Sequence, residues 1–300
     1  MAPAQFVGKR KRRFGVCGLQ MHILVATDLT DRSERALSRA LLLCRDTQAS
    51  RLSLLHVVAA GLPPTLADQQ QRAAEAFLAS RLAGVLSEPY TAGIDTVIRT
   101  GMPFNAIIGE AIERAADLVV IGTPGTHRYA EFFMGTTAEL VIRIGTKPVL
   151  MVKKEPQEQY RRVLAAFDSS EGAVRALRLA LAIAPTAQFR VVHAWRPPHA
   201  SLGGMEAARE AIERENAHLK GLIHDAARDI ITGPPSQGAD VVIEMREDNP
   251  YQVIANQCEW ADLLVMGTHS KGRLASTVSI GKLARHLLVE ASCDILISRP

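Results

Sequence analysis

The sequence predicts an α/β protein made of two tandem domains, each an open five-stranded parallel sheet. Three observations predict it. The first is an internal repeat of four segments in one order. Ile23-Leu24-Val25-Ala26-Thr27-Asp28 resembles Val163-Leu164-Ala165-Ala166-Phe167-Asp168, and Leu55-His56-Val57 resembles Val192-His193-Ala194. Residues 116–123 (ADLVVIGT) match 261–268 (ADLLVMGT), and 147–152 resemble 293–298. Self-similarity of this kind marks duplicated structural units. The second observation is the alternation of short apolar runs with amphipathic stretches, which gives β-α-β-α-β-α-β-α-β in each half and right-handed crossovers between parallel strands. The third is length: 300 residues at ~150 per domain give about two domains.

The elements follow in order. A strand begins after Met21, at His22-Ile23-Leu24-Val25-Ala26-Thr27. Further runs at 52–58, 94–99, 118–121 and 149–152 are almost continuously apolar, as strands buried on both faces of a parallel sheet must be. Between the first two runs, Ala36, Leu37, Ala40, Leu41 and Cys44 recur at helical spacing. Asp31 is placed to cap that helix, with Glu34 three residues on. In the second half Ala173, Leu177, Leu181 and Ala184 repeat the pattern after Ser169-Ser170. Residues 70–86 and 206–231 read as longer helices. Residues 104–114 and 251–259 read as shorter ones, opened by Pro103 and Pro250 near the first turn. Residues 154–160, polar and carrying Pro156, read as a linker between a first domain at 21–153 and a second at 161–300. Residues 1–20 show neither period. They read as a disordered basic extension, or as a start-site artefact with Met21 the native start.

Composition narrows the function classes. The chain is 47% hydrophobic and 22% charged, which is ordinary for a globular protein. No apolar run approaches the ~20 residues that span a bilayer, so no membrane partner is expected. Lys9-Arg10-Lys11-Arg12-Arg13 holds five of the 35 basic residues; without it 30 face 31 acidic ones. The body is near neutral, and no nucleic acid is expected to bind it. Cys17, Cys44, Cys258 and Cys293 form no CxxC pair. That fits a reducing, cytoplasmic setting and offers no zinc or redox motif.

In open parallel sheets ligands bind beyond the carboxyl ends of the strands. The first strand–helix turn, Asp28-Leu29-Thr30-Asp31-Arg32-Ser33, has no glycine, and no GxxxxGK[ST] occurs anywhere. The dinucleotide and P-loop fingerprints are therefore absent. The fourth strand ends differently, in Ile121-Gly122-Thr123-Pro124-Gly125, with a helix opening at Gly135-Thr136-Thr137. This is G-x2-G-x9-G-T. Glycine lets backbone N–H groups approach phosphate closely, a helix N-terminus favours anions, and the threonines add hydroxyls. The plainer reading is a tight turn at Gly122 and Gly125 and a helix start at Gly135. Asp28 likewise reads as a turn or cap residue.

With these motifs in order, the chain resembles a tandem universal stress protein, one whole domain of the family in each half. G-x2-G-x9-G-[S/T] marks the ATP-binding branch of that family, and the first half matches it in full. The resemblance implies an adenine-nucleotide alpha-hydrolase-like fold with strand order 3-2-1-4-5, and it implies residue roles. Asp28 would lie near the ribose, with Ala26 and Thr27 on the adenine side. The Val57 backbone would read the adenine edge. Gly122, Gly125, Gly135, Thr136 and Thr137 would hold ribose and phosphates. The ligand implied is ATP, with ADP or AMP as alternatives and Mg²⁺ carried on the phosphates. His56 and His193 occupy equivalent places and read as structural, while His127 reads as solvated. Single domains of this family dimerise through the fifth strand, so the two halves are expected to form an internal pseudo-dimer joining 147–152 to 293–298, with homo-oligomers of the chain a further possibility. In the second half Gly267 is followed by Gly272 rather than a glycine at 270, and Lys282 follows Gly281 where Ser or Thr is expected. This phosphate loop reads as degenerate, the rival being a cationic anion site of Lys271, Arg273 and Lys282.

The leading expectation is an ATP-binding regulatory protein of the stress response without efficient catalysis, since no nucleophile, general base or acidic pair stands in a recognisable arrangement. The alternatives are a nucleotide-using enzyme, either a slow ATPase or an adenylyl transferase, and an interaction module that has lost nucleotide binding.

Overall fold

The computed structural model describes residues 21–46, 51–85, 93–123, 136–194, 204–228, 240–246, 249–268 and 281–299. The basic cluster at 9–13, the extension at 1–20, Gly125, His127, Gly135, Lys271 and Arg273 lie outside the described residues. The first half runs β1 (His22–Thr27), α1 (Asp31–Asp46), β2 (Arg51–Ala59), α2 (Pro64–Val85), β3 (Ile94–Gly101), α3 (Pro103–Glu113), β4 (Leu118–Gly122), α4 (Thr137–Ile144) and β5 (Val149–Val152). The second runs β6 (Arg162–Ala166), α5 (Glu171–Ile183), β7 (Gln188–Ala194), α6 (Gly204–Arg228), β8 (Asp240–Arg246), α7 (Pro250–Cys258), β9 (Leu263–Gly267), α8 (Lys282–Glu290) and β10 (Asp294–Ser298).

The strands join in one ten-stranded sheet, ordered β3-β2-β1-β4-β5-β10-β9-β6-β7-β8. Each half thus has the expected order 3-2-1-4-5, and within each half every pairing is parallel. The halves meet at β5 and β10, which pair antiparallel with Leu150 opposite Leu296. The expected joining of 147–152 to 293–298 is what the sheet uses, and it covers two edges that would otherwise present unpaired backbone groups. Side chains alternate across the seam. Leu150, Val152 and Leu296 enter one core, while Val149, Met151, Ile295 and Ile297 enter the other. Each core therefore draws on both halves.

Two helix starts differ from the expectation. α2 begins at Pro64 rather than near 70; its first turns are largely exposed, Leu66 included, so no apolar face announces them. At α1 the Thr30 carbonyl accepts from the Glu34 N–H at 3.0 Å, so the capping position is Thr30 and Asp31 is the first helical residue. Glu34 pairs with Arg81 of α2 instead of folding back on the cap.

The seam is tied by reciprocal helix caps. Lys153, just past β5, donates from Nζ to the Val289 and Ala291 carbonyls at 3.3 and 2.7 Å, at the end of α8 in the other half. Arg299, just past β10, donates from Nη1 to the Arg143 and Gly145 carbonyls at 3.0 and 2.7 Å, at the end of α4. Each cation meets last-turn carbonyls that a helix leaves unpaired, at the negative end of its dipole. A further knot lies on Asp294. Its Oδ1 accepts from the Lys153 and Lys154 N–H groups at 2.8 and 3.1 Å, and its Oδ2 accepts from the Tyr160 hydroxyl at 2.7 Å. Arg39 of α1 sets Nε 3.4 Å from Oδ2, donates to the Glu158 carbonyl at 2.8 Å and lies 4.0 Å over the Tyr160 ring. Tyr160 is buried, so the segment joining the halves is pinned into the fold.

Candidate functional site

β1 ends at Thr27, opposite His56, whereas β2 continues to Ala59. The last three residues of β2 thus project past β1 with no ladder partner on that side. The neighbouring strand across β1 is β4, so a crevice opens at the point where strand order reverses. Among the described residues a cleft of about 580 Å³ occupies this point, within the ~300–1,000 Å³ usual for small-molecule sites. Ala26, Thr27, Asp28, Val57, Gly122, Thr136 and Thr137 all line it. These are all the residues selected from sequence that fall among the described ones. Ser33, Gln70, Pro103 and Ile107 also line it and were not selected. Pro103 and Ile107, one turn apart on an apolar helix face, carried a packing signal only.

The floor is the β1–α1 turn. Asp28 Oδ1 accepts from the Thr30 N–H at 3.1 Å and from the Thr30 hydroxyl at 2.6 Å. Burial on its own would raise the Asp28 carboxyl, but bonds from the Thr30 and Ser33 hydroxyls and the Thr30 N–H outweigh it and hold the group below its ordinary value. Leu29 takes a left-handed backbone, φ 63°, and its N–H bonds the Thr27 hydroxyl at 3.0 Å. A branched-chain residue at positive φ is costly, so the bonds around it define the turn tightly. Asp28 thus holds the turn, as the plainer reading of it has it, while also facing the cleft. The second half repeats the construction: Ser169 has φ 60°, and Asp168 Oδ1 accepts from the Ser170 N–H at 3.1 Å.

His56 Nδ1 lies 2.9 Å from the Thr27 carbonyl, and His193 Nδ1 lies 2.7 Å from the Phe167 carbonyl. A carbonyl only accepts, so Nδ1 carries the proton in both. Each histidine ties its second strand to the end of its first, which is the structural role expected of them.

The roof is the start of α4. Thr136 is its N-cap, its hydroxyl accepting from the Glu139 N–H at 3.2 Å. Thr137, exposed, is the first helical residue. Gly122 has a packing reason of its own: a Cβ there would sit 2.7 Å from the Arg32 carbonyl oxygen and 2.9 Å from its carbon. Gly267 is held the same way, 2.3 Å from the Ala173 nitrogen. These glycines let the first helix of each half close onto the sheet, whether or not phosphate is bound.

The second half departs at the positions that make the first-half cleft polar. Phe167 stands for Thr27 and is buried in the core, and Ala173 stands for Ser33. The N-cap of α8 is Gly281, with no side-chain cap, and Lys282 takes the first helical position.

The model of the Universal stress protein family matches this chain twice, over residues 21–153 and 159–299. The chain belongs to the universal stress protein family, as a tandem member. A universal stress protein of Thermus aquaticus is 31% identical over 144 residues, which are 47% of this chain and 99% of that protein. One from Methanocaldococcus jannaschii is 37% identical over 73 residues, 24% of this chain and 43% of that protein. The crystal structure of a universal stress protein from Archaeoglobus fulgidus superposes with a TM-score of 0.65 at 18% identity, covering 93% of this chain and 98% of that one. That likeness establishes the fold of the tandem pair. No helix among the described residues is long and apolar enough to cross a membrane.

Proposed function

We propose that this chain is an ATP-binding regulatory universal stress protein of the cytoplasm, with its nucleotide in the first-half cleft and without efficient catalysis. The observation that carries the reading is the convergence of Ala26, Thr27, Asp28, Val57, Gly122, Thr136 and Thr137 on one cleft at the switch point. In this reading adenine lies between the end of β1 and the overhanging end of β2, where the Val57 backbone is open to it. Ribose lies over Asp28 and Gly122. The phosphates meet the α4 N-terminus, where Thr136 and Thr137 add hydroxyls and the motif supplies Gly125 and Gly135. Mg²⁺ would be held largely by the phosphates; among the described residues no three metal-ligating side chains cluster. ADP or AMP would use the same contacts with fewer phosphates. The domain division is 21–153 and 161–300 about a linker at 154–160, and the second domain, with Phe167, Ala173 and Gly281 in place, serves as the partner that completes the sheet.

Calorimetric titration of ATP·Mg²⁺ into the full chain, beside the Thr137→Asp variant, tests this. Thr137 is exposed at the first position of α4, so aspartate there favours the helix by about 0.3–1 kcal/mol. It also sets a carboxylate against the phosphates, and the expected loss of affinity is at least about tenfold. One site per wild-type chain is expected. Two sites would refute the reading of the second half. No binding by folded, nucleotide-free protein would refute the reading altogether and leave an interaction module.

A further inference from the structure

At the end of the sheet opposite the cleft, the first half leaves an apolar face uncovered. Ile112, in the last turn of α3, is 55% exposed, and Ile144, which ends α4, is 48% exposed. Ile108 and Leu140, one turn earlier on each helix, are half-buried. The helices touch here. A Cβ on Gly145 would lie 3.6 Å from Ile108 Cγ1, and Ile108 and Lys147 line one narrow pocket between them. The two isoleucines thus flank a single helix junction, and with Ile108 and Leu140 they make a patch rather than scattered apolar side chains. Such patches mark interaction sites. This one borders the seam, since Arg299 of the second half bonds the Arg143 and Gly145 carbonyls at its edge.

The second half shows that the fold does not require it. Counted from Pro103 and Pro250, Glu259 stands for Ile112. Counted back from the caps at Gly145 and Ala291, Glu290 stands for Ile144 and His286 for Leu140. All three are exposed. The positions that face the core stay apolar in both halves, as Ile107 and Ile254 do, and Val141 and Leu287.

Symmetry and charge say what covers the face. β3, β4 and β5 run parallel, so α3 and α4, which return between them, lie side by side and point one way. An isoleucine closes each helix, with acidic Glu113 beside Ile112 and basic Lys147 just beyond Ile144. The other charges there, Arg114 and Arg143, already face Glu110 and Glu139. A two-fold axis along the helices and between them sets Ile112 against Ile144 of a second copy and Glu113 against its Lys147, and makes both contacts twice. Such self-complementarity is what an isologous interface demands, and an apolar centre with a polar rim is its usual anatomy. The same operation on the second half sets Glu259 against Glu290, two like charges. We infer that two copies of this chain associate through the α3–α4 faces of their first halves, with Ile112 and Ile144 at the centre and Glu113 and Lys147 fixing the register. The inference does not depend on nucleotide binding.

Sedimentation velocity on the full, nucleotide-free chain, from about 1 to about 100 µM, tests this. The wild-type protein is expected to pass from one chain to two across that range. Ile112→Glu and Ile144→Glu each install the residue that the second half carries at an equivalent exposed position, so the fold is kept, and circular dichroism checks it. Each is expected to raise the dimer dissociation constant at least about thirtyfold, as loss of a central interface residue does. Glu113→Lys and Lys147→Glu each set like charges together and are expected to weaken the dimer several-fold at low salt, and the double variant is expected to regain it. A wild-type chain that stays single at the highest concentration would overturn the proposal and leave the face to a different protein. A dimer indifferent to both glutamates would place the contact elsewhere, and a double reversal no tighter than the single ones would refute the axis.

Discussion

Asp294 gives the sharpest test of how the halves are held. Its carboxylate is 1% exposed and the facing Arg39 side chain 6%. Three donors and one cation converge on it, and they come from α1, the segment just past β5, and Tyr160. In Asp294→Ala the Arg39 guanidinium stays buried with only the Glu158 carbonyl and the Tyr160 ring to face. Breaking a buried pair in this way costs about 3–5 kcal/mol, a large part of the ~5–15 kcal/mol that stabilises a domain. Arg39→Met differs in kind, because the carboxylate keeps its three hydrogen bonds while the unpaired cation is gone. Its cost is about 1.5–3 kcal/mol, the worth of a bond to a charged group. With both changes together the stranded charge disappears, so the double variant is expected to fall short of the sum by roughly 0.5–3 kcal/mol. Urea unfolding followed by far-ultraviolet circular dichroism, read beside tyrosine and tryptophan fluorescence, measures all three. An Asp294→Ala cost under about 1 kcal/mol, or strict additivity in the cycle, would refute the view that this knot fastens the seam.

Further outcomes follow from other positions. Gly122→Ala forces a Cβ onto the Arg32 backbone at 2.7 Å and is expected to destabilise by about 1–3 kcal/mol in thermal unfolding without ligand; an unchanged melting temperature would show that α1 can retreat. Thr136→Ala removes the hydroxyl that caps α4, with an expected loss of about 0.5–2 kcal/mol in urea; an unchanged urea midpoint would show that the cap carries nothing. Burial pushes the Lys153 ammonium down to about 8 from 10.5, against the raising influence of Cys293, Cys258 and Asp294. Between those values the unfolded chain still binds a proton that the folded chain has shed, so stability rises with pH through the window. The advantage of wild type over Lys153→Met should therefore grow as the pH passes 8, and a flat difference would place the lysine in water.

Much of the fold is legible because it rests on short-range pattern. Continuous apolar runs such as 118–121 admit few structures other than a strand covered on both faces. Pro103 and Pro250 mark the first helical residues of α3 and α7, and Ser170 caps α5 through the Ala173 N–H. Of the residues lining the candidate cleft, Gly122 at a strand end and Thr136 and Thr137 at a helix start are marked by local pattern, whereas Ala26, Thr27 and Val57 are singled out by the family resemblance. What escaped is what partners decide. Nothing around Asp294 in sequence distinguishes it from a surface turn residue, since the groups that bury it are more than a hundred positions away. The cap of α1 falls on Thr30 rather than Asp31, directly after Leu29 in a left-handed backbone, and a leucine gives no warning of that. The first turns of α2 pack little, so periodicity had nothing to report.

Duplication allows a final separation of roles. Where the halves agree, the shared feature has a structural cause: the close-packed Gly122 and Gly267, the histidine bonds to the first strands, the left-handed Leu29 and Ser169, and the crossed caps of Lys153 and Arg299. A sheet of two such units needs each of these twice. Three differences lie on the cleft side of the strand ends, at Thr27 and Phe167, Ser33 and Ala173, and Thr136 and Lys282. Each change removes a hydroxyl, and none is required by the seam. In the first half the Thr27 and Thr136 hydroxyls also hold the β1–α1 turn and the α4 cap, yet the second half keeps the same frame without them, so the frame alone does not demand these hydroxyls at the strand ends. On the proposed reading, restoring Phe167→Thr and Ala173→Ser is therefore insufficient for nucleotide binding in the second half, because α8 still opens at Gly281 with no side-chain cap and the phosphate-loop spacing remains altered. Calorimetry on that double variant should still count one site; a second site would show that the base and ribose side, not the phosphate loop, sets occupancy.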